Sequence, residues 1–532
     1  MDNSHILEQP YTSVASRLSF RVVFLSLLAC GVGYAAYALL RDLTTVSHAS
    51  TFAYGLLGLA LAIALGFEFV NGFHDTANAV ATVIYTHSLK PHAAVVWSGV
   101  WNFIGVLMSS GVVAFGIIAL LPVELILQVG SQAGFAMVFA LLFAAIMWNL
   151  GTWYFGLPAS SSHTLIGSII GVGLMNQLMQ NSTGTTSGVD WAQATKIGYS
   201  LLLSPLTGFI CAALLLLTVK HFVRDPSLYR SPEGNRPPPF WIRSLLILTC
   251  TGVSFAHGSN DGQKGMGLIM LILIGTVPAA YALNHAVPAA QLQAFVAESR
   301  AAADVVEKHL GAPISAAPLG DARGHVTDYL KTRELTSATL PALQQLTTGI
   351  SQQVSRYETY TMVPEDLQGN IRNDMYLVSE MLRRMDKAGT PTFTEPDSAV
   401  LKSYKGHLDK ATKFIPDWVK ISVAIALGLG TMVGWKRIVI TVGERIGKSH
   451  LTYAQGASAE LVAMTTIGAA DVFGLPVSTT QVLSSGVAGT MAANRSGLQW
   501  NTVRNLLMAW VLTLPMSVVL SGGLYWLFRQ WQ

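Results

Sequence analysis

The chain has 532 residues, of which only 12% are charged, against about 25% in soluble proteins, and its mean hydropathy is +0.45. No Asp, Glu, Lys or Arg occurs between Glu124 and Asp190, a stretch long enough for more than two membrane spans of about 20 residues each. This composition excludes a soluble enzyme or a nucleic-acid-binding protein and predicts an all-α polytopic membrane protein. The net charge of +4 therefore matters through its distribution among the loops.

The first apolar run, residues 22–41, follows Arg17 and Arg21 and is long enough to span a membrane. Ala36-Tyr-Ala38 resembles a signal-peptide cleavage site, which is the alternative interpretation. We expect an extra transmembrane helix that lies outside the rest of the architecture.

Two polar motifs, each set in apolar sequence, occur twice. The first reads Asn71-Gly-Phe-His-Asp-Thr-Ala-Asn78 and returns as His257-Gly-Ser-Asn-Asp-Gly-Gln-Lys264. The second reads Phe155-Gly-Leu-Pro-Ala-Ser-Ser-Ser-His-Thr164 and returns as Phe473-Gly-Leu-Pro-Val-Ser-Thr-Thr-Gln-Val482. Duplicated polar motifs at membrane depth are typical of solute transporters that are built from two repeats.

Two basic loops, 220–243 and 436–448, are predicted to be cytoplasmic. The polar stretch 284–414, here called the insertion, must then lie on the opposite side. Segment 244–282 crosses once, and its length predicts a helix that is broken near His257-Gly258. The loop charges of the first half have the opposite placement, so we predict two inverted-topology repeats with broken helices, re-entrant-like hairpins and about eleven crossings.

These boundaries divide the chain into six parts. They are an N-terminal tail with the extra helix (1–50), the first transporter repeat (51–220), a basic cytoplasmic linker (221–243), the start of the second repeat (244–283), an extracytoplasmic soluble helical insertion (284–414) and the remainder of the second repeat (415–532).

Helical spacing in steps of three and four places polar residues of the first motif, with its upstream neighbour, on one face. They are Glu68, Asn71, Asp75, Asn78 and Thr82. Carboxylate, amide and backbone oxygens suit Na⁺, or a proton on the Asp, and Gly72 and Gly258 would let the helices unwind to expose carbonyls. A polar seam that only holds helices together is the alternative.

In the second motif, proline fits the first turn of a helix, where backbone N–H groups are unpaired. The hydroxyl residues are Ser160, Ser161, Ser162, Ser478, Thr479 and Thr480. Two such helix ends from inverted halves could meet and bind one tetrahedral oxyanion. The alternative is that these side chains merely cap buried helix ends.

Three further residues are candidates for coupling. His257 precedes Asp261 by four residues and shares its helix face, which favours a proton path. Glu460 is an intramembrane carboxylate, although its place near the inner end of a span leaves open that it faces the cytoplasm. Lys264 puts a fixed positive charge one turn from Asp261, where it would replace a bound Na⁺. We therefore predict transport that is driven by H⁺ and independent of Na⁺.

At these motifs, from residue 52 to the C-terminus, the chain resembles the inorganic phosphate transporter (Pit) family, and closely the bacterial low-affinity members. Residues 71–85 and the run Trp148-Asn-Leu-Gly-Thr-Trp-Tyr-Phe-Gly-Leu-Pro158 carry the resemblance together with the paired motifs. It implies symport of phosphate with H⁺, as a neutral complex with a divalent metal such as Mg²⁺, in the bacterial inner membrane.

The resemblance also implies roles for individual residues. The hydroxyls at 160–162 and 478–480 would contact phosphate, Asp75, Asn78 and Asp261 would be cation-linked, and Glu460 falls on a functional acidic position of the family's animal members. Our own interpretation of the motifs adds Asn71, His257, Asn260 and Lys264 as candidates for cation or proton coupling. No cofactor or fixed metal is expected, the partners would be phosphate and membrane lipid, and a homodimer is an expected assembly. Lys264 and Gln481 depart from the residues that the family often has, Asn and His.

Three other functions stay open at this point. A permease for sulfate, arsenate or molybdate would need the same oxyanion chemistry, and a Na⁺-coupled phosphate symporter would need the same fold. An ion channel can also contain duplicated half-helices. An intramembrane hydrolase is disfavoured because neither GxSxG nor HExxH occurs in the motifs.

Overall fold

The computed structural model describes residues 14–44, 51–75, 77–127, 131–180, 189–232, 236–310 and 320–530. Within these ranges the chain forms helices, and the only β-type pairing is one isolated bridge between Gly447 and Leu498. The α-helices, numbered in chain order, are α1 (Val14–Leu43), α2 (Thr51–Asp75), α3 (Ala77–Tyr85), α4 (Pro91–Met108), α5 (Val112–Ile118), α6 (Val123–Leu127), α7 (Gln132–Tyr154), α8 (Ser161–Gln180), α9 (Trp191–Phe222), α10 (Phe240–Thr276), α11 (Pro278–Tyr281), α12 (Ala289–Lys308), α13 (Ala322–Thr332), α14 (Thr339–Val354), α15 (Glu365–Ala388), α16 (Glu395–Thr412), α17 (Asp417–Thr431), α18 (Lys436–Ile440), α19 (Tyr453–Val472), α20 (Thr479–Ala493) and α21 (Trp500–Gln530). The predicted all-α class is confirmed.

Seven helical segments in the described ranges are long and apolar enough to cross a membrane, or eight if the bent pair α16–α17 counts as one span. They are α1, α2 continued by α3, α4, α7, α9, α10 and α21. The predicted eleven crossings would require four further segments. Helices α8, α17, α19 and α20, which are shorter or more polar, are the candidates. The crossing number therefore stays a prediction.

Helix α10 corrects one expectation. It runs unbroken for 37 residues from Phe240 to Thr276, straight through His257 and Gly258. A Cβ on Gly258 would lie 2.2 Å from the backbone oxygen of Asn102, and one on Gly72 would lie 2.3 Å from that of Leu427. These two glycines therefore let helices approach closely, and they do not unwind them.

The two halves of the chain pack onto each other in a reciprocal pattern. Helix α2 packs against α17 and α10 against α4, while α8 packs against α21 and α20 against α9. Each close crossing is lined by glycine: a Cβ on Gly171 of α8 would lie 2.2 Å from the Val518 backbone oxygen, and one on Gly489 of α20 would lie 2.1 Å from that of Phe209. Helices at corresponding positions therefore pack across to the other half in the same way, and the inverted topology of the two repeats stays a prediction.

The insertion contains helices α12 to α16, which enclose their own apolar core around Phe295, Leu343 and Tyr404. Arginines of the insertion bind Asp190, the N-cap residue of α9. Arg333 lies 2.8 Å and Arg384 2.9 Å from its carboxylate oxygens. This ion-pair cluster ties the insertion to the first half of the chain.

Helix α1 lies against the rest of the bundle through α17. Gly31 faces the side chain of Ile425, and at the end of the helix Tyr281 donates a hydrogen bond of 2.9 Å to Asp42. Most of the apolar surface of α1 is exposed, which is typical of a helix that faces lipid. A helix long and apolar enough for the expected extra span is therefore present over residues 20–43, and its crossing of the membrane stays a prediction.

Candidate functional site

The second motif forms the tip of a helical hairpin in each half. Tip 1 is residues 155–162, between α7 and α8, and tip 2 is residues 473–480, between α19 and α20. Ser160 Oγ accepts a hydrogen bond from the His163 backbone N–H at 3.2 Å, and Ser478 Oγ accepts one from the Gln481 N–H at 3.2 Å. Both serines are N-caps, so the capping interpretation holds for the first hydroxyl of each triplet.

The sequence predicted that the prolines lie in the first turn of α8 and α20, and this prediction is wrong. Pro158 and Pro476 stand two residues before the N-caps. The preceding helices end at Tyr154 and Val472, and two residues later Gly156 and Gly474 have φ angles of +67° and +64°, with matching hydrogen bonds back into α7 and α19. These left-handed glycines reverse the chain direction, and the prolines keep the short connection extended.

The two tips touch each other and the first motif. Ser162 Oγ of tip 1 donates to the Val477 carbonyl of tip 2 at 2.7 Å. The Lys264 ammonium donates to Ser162 Oγ at 2.5 Å, and Thr480 Oγ1 donates to Asp75 at 2.8 Å. The structure thus brings both copies of both motifs to one place.

The second hydroxyl residue of each triplet, Ser161 or Thr479, takes part in none of the capping or tip contacts described above. Ser161 is fully buried and Thr479 is 5% exposed, and neither hydroxyl has a hydrogen-bond partner among the described residues. Each is the first residue of its helix, where backbone N–H groups point outward. Because buried hydroxyls are normally hydrogen-bonded, this matched pair is a candidate to donate hydrogen bonds to a bound group.

Asp261 lies at the centre of the second-half motif and is fully buried. Its carboxylate is 2.8 Å from the Lys264 ammonium and 3.4 Å from His257 Nε2. Lys264 is also fully buried. The ammonium joins Asp261 to tip 1, so carboxylate, amine and hydroxyl form one connected chain of polar contacts.

The protonation of His257 follows from its neighbour. The Asn102 amide donates to the Ser98 carbonyl at 2.8 Å, which leaves the Asn102 oxygen, 2.6 Å from His257 Nδ1, as an acceptor. His257 Nδ1 must therefore carry a hydrogen. Its Nε2 then faces Asp261 either as a lone pair or as the second N–H of an imidazolium.

Asp75 is the first-half carboxylate and is 3% exposed. It lies 2.8 Å from His74 Nδ1, whose Nε2 is 3.1 Å from the Thr152 hydroxyl. Ligand atoms of Asp75, His257 and Asp261 all lie within 4.8 Å of one another. Two carboxylate oxygens and an imidazole nitrogen at this spacing can share a proton or bind a divalent cation.

The remaining residues of the predicted polar face lie only partly within the described part of the chain. Asn71 and Glu68 are fully buried, and the Glu68 side chain fills the space beside Gly265, which leaves no room for a Cβ there. The side chain of Asn78 lies outside the described residues. Asn260 binds tip 2, because its amide donates to the Leu475 carbonyl at 3.1 Å.

Glu460 occupies a separate polar site. It is fully buried, so the interpretation that it faces the cytoplasm is wrong. Thr249 donates to its carboxylate at 2.5 Å, and Thr82 donates to its other oxygen. Thr249 precedes His257 by eight residues on α10, which is about 12 Å along the helix, so Glu460 does not touch the central cluster directly.

Sequence analysis missed Asn102, Gln263 and Asp471. Asp471 accepts hydrogen bonds from Ser259 at 2.6 Å and from Gln263 at 2.5 Å, and Gln263 accepts one from the Val113 N–H at 2.9 Å. Asp471 lies in an apolar stretch, so the rule that singled out Glu460 would have found it. Asn102 carried no such signal, because one amide on an apolar helix is common.

Comparison with known proteins identifies the family of this chain. Residues 71–521 match the model of the phosphate transporter family. The chain belongs to the phosphate transporter family. Among its relatives, the low-affinity inorganic phosphate transporter PitA of Escherichia coli K12 is 44% identical, over 89% of this chain and 97% of that protein. PitB of the same organism is 42% identical, over 89% and 97% of the two chains.

A solved structure described as the sodium-dependent phosphate transporter is similar with a TM-score of 0.50 and 19% identity, covering 90% of this chain and 99% of that one. This likeness concerns the fold. Membership in the phosphate transporter family makes the chain a multi-pass membrane transporter and not an enzyme. The duplicated motifs that meet at the tips both lie inside the matched residues.

Proposed function

We propose that this member of the phosphate transporter family carries inorganic phosphate across the bacterial inner membrane by symport with protons. The observation that carries the proposal is the pair of buried hydroxyls without partners, Ser161 and Thr479, at the facing ends of α8 and α20. One tetrahedral oxyanion between the tips would accept hydrogen bonds from both hydroxyls and both helix ends.

The position of Lys264 supports an anion at this place. Its ammonium bonds Ser162 in tip 1 while it pairs with Asp261. An oxyanion at the tips would lie beside this cation, which adds Coulomb attraction to the hydrogen bonds. Ser162 of tip 1 also donates a hydrogen bond to the Val477 carbonyl of tip 2. Separation of the two tips would break this bond and release the phosphate.

The same lysine supports protons over Na⁺ as the coupling ion. A buried ammonium 2.8 Å from Asp261 occupies the place that a metal cation would take beside that carboxylate and repels a second cation. A proton adds to Asp261, Asp75 or His257 Nε2 without needing that space. Coupling by H⁺ therefore fits the cluster better than coupling by Na⁺.

Phosphate as a neutral metal complex suits the charge of the site. Asp75 and Asp261 lie beside the tips, so a doubly charged anion alone would be repelled. A divalent metal that travels with phosphate as part of the substrate would offset this repulsion. Because the Lys264 ammonium already lies beside Asp261, Asp75 is the carboxylate that would contact that metal from the protein side.

Uptake of labelled phosphate into proteoliposomes after a pH jump, with and without Na⁺ and Mg²⁺, tests the proposal. We expect accumulation when the outside is acidic, no requirement for Na⁺, and stimulation by Mg²⁺. Uptake that required Na⁺ and ignored the pH gradient would establish the Na⁺-coupled alternative. Arsenate or sulfate that was transported in preference to phosphate would establish a permease for another oxyanion.

A further inference from the structure

The insertion contains a cleft of about 520 Å³, far from the hairpin tips in sequence. The C-terminal part of α15, the turn at 389–394 and α16 enclose it. Sites for small organic molecules typically measure about 300–1,000 Å³, so this cleft has the size of such a site.

The charged residues that line the cleft are mostly cations. They are Arg383, Lys387, Lys402 and Lys405, against the single acid Asp386. Three of the cations have carboxylate partners: Arg383 pairs with Glu380, Lys402 with Asp386 at 3.1 Å, and Lys405 with Asp409 at 2.5 Å.

Lys387 differs from the other three because no carboxylate of the described chain lies within ion-pair distance of it. Partial burial, with the neighbouring cations Arg383 and Lys196, lowers the pKa of its ammonium. Asp190 and Glu380 oppose this shift, so burial is its main cause, and an anion in contact with Lys387 would stabilise the ammonium.

One wall of the cleft is apolar. It contains Phe393, Leu401 and Met385, and the Phe393 ring is held by the His309 ring at 4.8 Å. A bare inorganic ion would leave this wall and most of the volume unused. A ligand that combines a compact anionic group with a small organic part would use both surfaces.

We infer that the cleft between α15 and α16 binds a small organic phosphate, with its phosphate group on Lys387 and Lys402 and its organic part on Phe393 and Leu401. Lys402 can contact the phosphate because its ion pair with Asp386 is solvent-exposed and therefore weak. Lysine is a common phosphate ligand in proteins. A soluble phosphomonoester and a phospholipid headgroup both have this chemistry.

Isothermal titration calorimetry on the detergent-solubilised full chain tests the inference with glycerol 3-phosphate, with dihexanoyl phosphatidic acid, and with orthophosphate. We expect glycerol 3-phosphate or the phosphatidic acid to bind, and the double variant Lys387→Gln/Lys402→Gln to weaken that binding at least tenfold. Binding of glycerol 3-phosphate identifies a soluble ligand, and binding of the phosphatidic acid alone identifies a lipid headgroup.

Lys410→Gln is the matched control, because Lys410 is exposed on the same helix α16 but does not line the cleft. Binding that the double variant left unchanged, or binding of orthophosphate alone, would overturn the inference. The variant Ser161→Ala/Thr479→Ala separates it from the proposed transport site. If that variant abolished glycerol 3-phosphate binding, the ligand would lie at the tips and not in the cleft.

Discussion

The first motif places a buried carboxylate beside the hairpin tips in both halves, but the two halves surround it differently. In the first half, Asp75 contacts His74 and Thr480. In the second half α10 continues through Asp261, which contacts His257 and Lys264. The first-half carboxylate thus accepts a hydrogen bond from a hydroxyl of tip 2, while the second-half carboxylate pairs with a lysine of its own helix.

The tips are also held by different neighbours. Tip 1 contacts the segment after α17: Trp153 donates to the Gly434 carbonyl at 2.8 Å and Thr441 to the Gly156 carbonyl at 2.8 Å. Tip 2 is held by α10, through Asn260 and through the contacts of Asp471. The tips thus have matching caps, while these contacts with the surrounding helices differ between the two halves.

The largest effect is expected from the two carboxylates. Asp75→Asn and Asp261→Asn should each abolish accumulation of phosphate against a gradient, because neither amide can take up a proton. Uptake into proteoliposomes measures this, with Asp328→Asn as the control since Asp328 is an exposed acid of α13. Normal accumulation by both variants would show that coupling uses other residues, and loss in one alone would show that the halves are unequal.

Lys264→Asn gives the second half the amide that the first half has at Asn78. We expect the pH gradient to drive less uptake and Na⁺ to stimulate transport, because the fixed cation beside Asp261 is gone. Lys264→Arg, which keeps the charge, is the control and should stay independent of Na⁺. Unaltered H⁺ coupling in Lys264→Asn would limit the lysine to a structural role.

Ser161→Ala and Thr479→Ala test whether the two tips contribute equally. Each variant should raise the apparent Km for phosphate about tenfold, since a hydrogen bond to a charged group is typically about 1.5–3 kcal/mol. Ser485→Ala on α20 is the control, because that hydroxyl bonds the Val482 carbonyl at 3.0 Å within its own helix. A Km that neither variant changed would mean that the tips only cap buried helices.

Asp471→Asn and Trp153→Phe compare the contacts that hold the tips. Hydrogen bonds to an ionised carboxylate are roughly twice as strong as neutral ones, so Asp471→Asn should slow the maximal uptake rate severalfold and more than Trp153→Phe does. The Km should change little, because neither side chain faces the anion. Initial rates at saturating phosphate measure both, and equal rates in the two variants would argue against a special role for tip 2.

The smallest effect concerns the contact between the insertion and α9. Burial by itself would raise the pKa of Asp190, but Arg384, the Gln193 N–H, Arg333 and Arg383 outweigh burial and hold this pKa below its usual range. Stability from a lowered pKa is present above the unfolded value and is lost as the pH falls through the folded value.

Thermal unfolding should therefore show this contribution unchanged from neutral pH down to about pH 4 and declining below it. Asp190→Asn should lower the melting temperature by several degrees at pH 7 and remove this part of the acid dependence. Asp328→Asn is again the control, because its partner Lys331 is 3.7 Å away at the surface. A melting temperature that Asp190→Asn left unchanged at neutral pH would show that the arginines do not stabilise the docked insertion.

Much of the fold followed from local pattern. Apolar runs predicted the helices, and the Pro-x-Ser triplets predicted the two hairpin tips, because capping and chain reversal depend on a few adjacent residues. The break near His257 was predicted from segment length and was wrong, since Gly258 lets Asn102 approach and α10 simply continues. The site residues at Asp75, Asp261 and the tips were found because each motif occurs twice.

The sequence by itself determined which residues carry charge and hydroxyl groups inside an apolar chain and that they come in matched pairs. Only the tertiary structure decided their partners: Lys264 with Ser162, Asp75 with Thr480, His257 with Asn102 and Glu460 with Thr249. These partners are more than one hundred residues apart in the chain. Periodicity and capping act over a few turns of helix, whereas the packing of one repeat against the other determines which distant side chains meet.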